Sequence, residues 1–183
     1  MERQPTAPNS YCRFTNSLVS SLRATEGSEA IFEDCFVGLW PPRNDGGQFM
    51  HVHIYTDGGA RGNPGPAASG AVIKSPDGEL IAEVMKYLGK TTNNQAEYTA
   101  IIIGLERAAK LGATQVSLFM DSELATKQLK GEYRVKDPEI AKRFLEVKNL
   151  LHKFDHVSFT HVRREKNKEA DALVNKCLDE QRC

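Results

Sequence analysis

The chain has no apolar run near the ~20 residues that a helical membrane span requires, and its N-terminus lacks the apolar core of a secretory signal. A cytoplasmic protein with no membrane partner is therefore expected. Cysteine is scarce: Cys12, Cys35, Cys177 and Cys183 show no CxxC or related spacing. That argues against a structural zinc site and, with no sign of export, predicts free thiols. Neither charge is in excess, with 24 Lys plus Arg against 24 Asp plus Glu in 183 residues. The net balance neither demands nor rules out a nucleic-acid partner, so local charge decides. What is present is a 40% apolar composition, enough at this length for one domain with a real core.

Residues 1–49 differ in character from the rest. They are polar and rich in Ser and Thr, and they end near a linker-like PPRNDGG run at 41–47. No acid occurs from 3 to 25, a weak likeness to an organelle transit peptide. The preferred expectation is that Met50 is the true or alternative start and that 1–49 form a disordered or poorly packed extension. The exception is IFEDCFVGLW at 31–40, whose apolar residues fit a short helix, a short strand or a docking segment; the sequence does not choose.

The stretch HVHIYTDGGARGNPGPAASGAVI, 51–73, organises the remainder. Val52 and Ile54 alternate with polar partners, predicting a strand that ends at Asp57. Five glycines between Gly58 and Gly70, with Pro64 and Pro66, predict a turn whose bare backbone lets a ligand approach. An acid there fits a metal or phosphate site, or merely a turn cap. Ser75, Pro76, Asp77 and Gly78 form a second turn, so strands near 51–57, 68–74 and 79–88 make an antiparallel meander.

Thr92 with Gln95 makes a capping box and Gly112 ends the apolar pattern, predicting a helix over about 93–111. Glu97 precedes Ile101, Leu105 and Ala108 at helical spacing, an acid in the first turn on the inward stripe. A glutamate that only complements the helix dipole is less expected on that face. Val116, Leu118 and Met120 predict a fourth strand, with Asp121 at its end before a helix to about Lys130; that aspartate is either a plain N-cap or a functional acid. Asp137 and Pro138 open a helix striped by Ile140, Phe144, Val147 and Leu151. A last strand near 156–162 leads through the basic loop RREKNK to a final helix. Its apolar face is Ala170, Leu173, Val174, Cys177 and Leu178, with Asp171 bordering it.

This order implies an α/β fold, a mixed sheet with helices packed on it. Two acids at strand ends and two at helix starts are able to converge. Like charges so close raise one another's pKa and destabilise the fold unless cations neutralise them. Oxygen-only ligands favour Mg²⁺ or Mn²⁺, and two such ions ~4 Å apart activate water and stabilise a leaving oxygen in phosphodiester cleavage. The pattern predicts a nuclease.

The segments YTDGGARGNPGP, TTNNQAEY, the DS after the fourth strand and NKEAD, taken in order over about 50–180, resemble type I ribonuclease H, most closely its compact bacterial and archaeal branch. The resemblance implies a ribonuclease H domain over 50–183, with a five-stranded mixed sheet and helices on both faces. It implies a monomeric endoribonuclease that cuts the RNA strand of an RNA/DNA hybrid, leaves 5′-phosphate ends and uses two Mg²⁺ ions, with Mn²⁺ able to substitute. By the family pattern Asp57 bridges the ions, Glu97 and Asp121 complete one shell, and Asp171 serves the other.

Asn63, Asn93 and Asn94 match family positions that contact the hybrid, where amides bond base edges and ribose hydroxyls in a wide minor groove; each is otherwise a turn or cap asparagine. Gly58, Gly59 and Arg61 join the expected substrate surface. Lys127, Lys130, Arg134 and Lys136 are further candidates for phosphate contact, against a reading as solvated charge.

Two departures stand out. The loop before Asp171 has no histidine and carries Arg163, Arg164 and Lys166 instead, with Arg164 as an electrostatic substitute that cannot act as a general base. His161 is read as a packed, hydrogen-bonded residue rather than the replacement. The long basic, tryptophan-bearing protrusion of some relatives is missing too. The main alternative is a hybrid- or duplex-RNA-binding module of the same fold with little or no cleavage, against which the presence of all four acids counts.

Overall fold

A computed structural model describes residues 50–180; the expectations for 1–49 and for Cys12, Cys35 and Cys183 fall outside them. Strands β1 (His51–Ala60), β2 (Gly65–Lys74) and β3 (Leu80–Thr91) form the antiparallel meander. Two further strands, β4 (Gln115–Met120) and β5 (His156–His161), add in parallel to β1 and to β4, giving the order β3-β2-β1-β4-β5. This is the expected five-stranded mixed sheet. Four helices accompany it: α1 (Asn93–Lys110), α2 (Glu123–Leu129), α3 (Pro138–Leu151) and α4 (Lys168–Glu180). A 3-10 turn, Arg164–Lys166, interrupts the basic loop. None of the described helices is long and apolar enough to cross a membrane.

Helices cover both faces, and two adjacent glycines show it. A Cβ on Gly58 would meet α1 backbone, whereas one on Gly59 would meet Val174 of α4, and neighbouring strand residues point to opposite faces. On the α1 side Val52, Ile54, Ile73, Ile101, Leu105 and Leu118 make the main core, with α3 packed against α1. On the other side Ala68, Val72, Ala170, Val174 and Leu178 seal α4 to the sheet. Every residue of the predicted α4 face is buried. In α3, Ile140 and Val147 are buried as expected, but Leu150 is buried in place of Leu151, which is only half-covered along with Phe144.

Two expectations need correction, and the alternative left open for Asp121 is settled. β1 runs three residues past Asp57, because its glycines pair with β2 as strand, Gly58 with Ser69 and Gly59 with Ala68; the turn is confined to 61–64. Glu97 lies in the second turn of α1, whose first turn holds no acid. Asp121 is not the cap of α2, since Ser122 takes that place and its side chain accepts from the Ala125 N–H.

Candidate active site

The strand ends decide where the acids stand. The parallel pairing of β1 with β4 stops at Thr56 and Met120, so the next residue of each strand, Asp57 and Asp121, emerges where the ladder closes. Asp57 is thus inside β1 yet at the end of its parallel partner. Glu97 comes from the opposite face. Gly58 presents no side chain, and the α1 backbone rests so close that a Cβ there would stand 2.2 Å from the Glu97 nitrogen. Buried Ser69 donates its hydroxyl to the Ala96 carbonyl at 2.6 Å, pinning the same turn to β2. In consequence Asp57, Glu97 and Asp121 each offer a carboxylate oxygen within 4.8 Å of the others.

Electrostatically this is a costly arrangement. Asp57 is pushed up to about 7, first by burial and then by the charges of Asp121 and Asp171. Burial, and after it Asp57 and Asp121, hold Glu97 well above the usual carboxylate range. Asp121 Oδ1 is buried with no hydrogen-bond partner. A donor set made only of oxygen, converging and with one atom unsatisfied, fits a hard divalent cation such as Mg²⁺ or Mn²⁺.

A stability consequence follows from the raised carboxyls. Between about pH 4 and 7 the folded state holds a proton on Asp57 that the unfolded state has released. Stability from this group is therefore present at low pH and lost as pH rises through about 7. The Tm of the metal-free protein relative to Asp57→Asn is expected to fall from pH 5 to pH 8, and Mg²⁺ is expected to raise the wild-type Tm more at pH 8. Equal Mg²⁺ effects at both pH values would contradict this.

Asp171, in the first turn of α4, lines the same cleft of about 350 Å³ but stands outside the triad. Arg164 is ion-paired with it at 2.5 Å, and Asn175 donates to its other carboxylate oxygen at 3.1 Å. The carboxylate in turn holds the Arg164 guanidinium above its ordinary pKa. His161 is hydrogen-bonded to the Asp121 carbonyl at 3.1 Å, but it is exposed rather than packed.

The expected substrate residues divide. Asn63, Asn93 and Arg61 lie along one rim. Asn93 donates its N–H to Asn63 Oδ1 at 3.3 Å, accepts from the Ala60 N–H at 3.3 Å and donates its amide to Glu97 at 3.4 Å. Its side chain thus braces the loop and Glu97 together. Arg61 lines the cleft but is paired with Asp179 on α4. Gly59 lines the cleft as well; Gly58, though it borders the same space, is buried and serves the α1 contact.

Exposed Asn94 opens onto an adjoining groove lined also by Leu124, Arg134, Lys136 and Ile140. Lys127 is engaged by Glu123 and lies over the Tyr133 ring, and Lys130 is exposed. Ser69, Asn167 and Asn175 were not singled out from the sequence. A serine inside an apolar strand was the one available signal, for Ser69.

A family profile described as "Reverse transcriptase-like" matches residues 55–177, which spans both the triad and Asp171. The chain belongs to the ribonuclease H family. It is 48% identical over 129 residues to "Ribonuclease HI" of Halobacterium salinarum, covering 70% of this chain and 65% of that protein. A bifunctional protein of Mycobacterium tuberculosis is 42% identical over 131 residues, 71% of this chain but 36% of its own length. The chain therefore spans less than two thirds of either relative. Among solved structures, LC11-RNase H1 in complex with an RNA/DNA hybrid superposes with a TM-score of 0.70 at 42% identity, covering 72% of this chain and 99% of that one.

Proposed function

We propose that this chain is an endoribonuclease that hydrolyses the RNA strand of RNA/DNA hybrids, leaving 5′-phosphate ends, with two divalent ions held by Asp57, Glu97, Asp121 and Asp171. The observation that carries the reading is the convergence of three largely buried carboxylates with an unpaired Asp121 oxygen among them. Such a cluster of like charges is electrostatically unfavourable unless a cation neutralises it. Bound there, Mg²⁺ supplies a nucleophile at neutral pH and charge stabilisation for the leaving oxygen.

The chain's own groups do the rest. Asp57, a member of the triad that also feels the charge of Asp171, would serve both ions. Asn93 orients Glu97 through its amide. The asparagine rim and Asn94 present donors and acceptors suited to ribose hydroxyls and base edges, which distinguishes the RNA strand without reading sequence. Arg134 and Lys136 on the adjoining groove meet backbone phosphates. Arg164 carries fixed positive charge beside Asp171 and moves no proton. Hybrid as the substrate is supported by the relative solved with one.

The test presents one labelled RNA in three contexts, paired with DNA, paired with RNA and alone, in Mg²⁺ and in EDTA. Internal cuts confined to the hybrid and abolished by EDTA are expected. Binding of the hybrid without any cut by folded, Mg²⁺-loaded protein would instead identify a binding module.

A further inference from the structure

We infer that Asn167 is a positioning residue that fixes Asp171 relative to Asp57, and so sets how tightly the cleft takes divalent ions. The inference rests on the proposed carboxylate site but concerns a residue outside it. Asn167 is a polar side chain only 1% exposed, in a segment of otherwise exposed basic and acidic residues. Its Nδ2 donates to the carbonyl of Thr56, 111 residues away, at 2.9 Å. Thr56 directly precedes Asp57, at the point where the pairing with β4 ends.

The Asn167 backbone carbonyl accepts the N–H of Asp171 at 3.1 Å. One residue therefore ties the strand carrying Asp57 to the helical turn carrying Asp171. The helix is free to pack by Val174, Cys177 and Leu178 alone, but apolar contact does not define its position along the strand to a fraction of an ångström, and a buried hydrogen bond does.

Chemistry separates positioning from mere packing. Asn167→Asp keeps size and shape and replaces the donor facing Thr56 with an acceptor, while the backbone bond to Asp171 survives. Residues that hold metal ligands in place typically cost about 10–100-fold in metal affinity or activity when changed. For Asn167→Asp in the full chain, a Mn²⁺ titration by calorimetry without substrate is expected to show affinity weaker by about tenfold or more. Hybrid cleavage should show kcat lowered by a similar factor, KM within about threefold, and partial recovery at high Mn²⁺. Should that variant not fold, Asn167→Ser, which keeps a donor but shortens its reach, is measured in the same way.

A folded variant that melts lower yet binds Mn²⁺ and turns over like wild type would reduce Asn167 to a structural cap and overturn the inference. If wild type itself neither binds Mn²⁺ nor cuts, the functional reading fails separately. The crystal structure of the variant then decides the linkage: Asp171 displaced from Asp57 supports it, and an unmoved Asp171 refutes it.

Discussion

Asp57→Asn is expected to lower hybrid cleavage by at least about a thousandfold while leaving hybrid affinity within a few-fold. Burial and then the charges of both Asp121 and Asp171 raise the pKa of Asp57, and it shares the carboxylate cluster with Glu97 and Asp121. Asparagine fills the same space and keeps one carbonyl oxygen, but loses the charge that binds a hard cation. The substrate rim, built from Asn63, Asn93 and the groove cations, is untouched. Removing a buried, repelled charge should also raise the Tm of the metal-free protein at pH 8, the opposite of what a damaged core gives. Cleavage rates and hybrid binding measured on the same preparation check both halves. A variant that retains a tenth of the activity would displace Asp57 from the centre of the site.

Gly58→Ala is expected to cost above about 3 kcal/mol of stability, a large effect for one methyl group. The added Cβ would lie 2.2 Å from the Glu97 nitrogen, 2.3 Å from the Ala96 carbonyl carbon and 2.6 Å from its oxygen. All three are backbone atoms, so no rotamer change relieves the overlap and α1 has to lift from β1. Glu97 would move with it, and activity should fall in any molecules that still fold. Gly78→Ala is the contrast. Nothing lies within 4 Å of a Cβ there, and its cost comes only from the backbone at φ +92. Urea denaturation of both variants gives the comparison, and a Gly58→Ala protein within 1 kcal/mol of wild type by that measure would contradict the packing argument.

The elements were largely legible because their periods are clean. Alternation at Val52 and Ile54 and at Val116, Leu118 and Met120 placed strands, and the stripe from Ala170 to Leu178 gave a helix face that is buried throughout. What eluded sequence reasoning depended on contacts between distant segments. Gly58 and Gly59 look like turn residues in isolation; they are strand because they pair with Ser69 and Ala68 of β2, and they are glycine because the helices on the two faces leave little room for side chains. Asp121 resembled a cap because a helix follows, and the neighbouring Ser122 takes that role.

Glu97 was found by the burial of its helical stripe even though its turn was misjudged, since face is set by spacing and turn number by where the helix begins. Asn167 gave no signal. An asparagine in a basic loop is ordinarily exposed, and only the tertiary approach of β1 buries it. The engagement of Arg164 with Asp171 and of Arg61 with Asp179 likewise arises from the fold.

The most direct measurement of the central claim is anomalous scattering from Mn²⁺ in crystals of the full chain bound to an RNA/DNA hybrid, with Asp121→Asn used if wild type cuts the substrate. Two peaks in the cleft are predicted for wild type, both touching Asp57, one shared with Glu97 and Asp121 and the other with Asp171; Asp121→Asn should weaken the first selectively. A folded, hybrid-bound wild-type protein in saturating Mn²⁺ with no peak among these carboxylates would contradict the account.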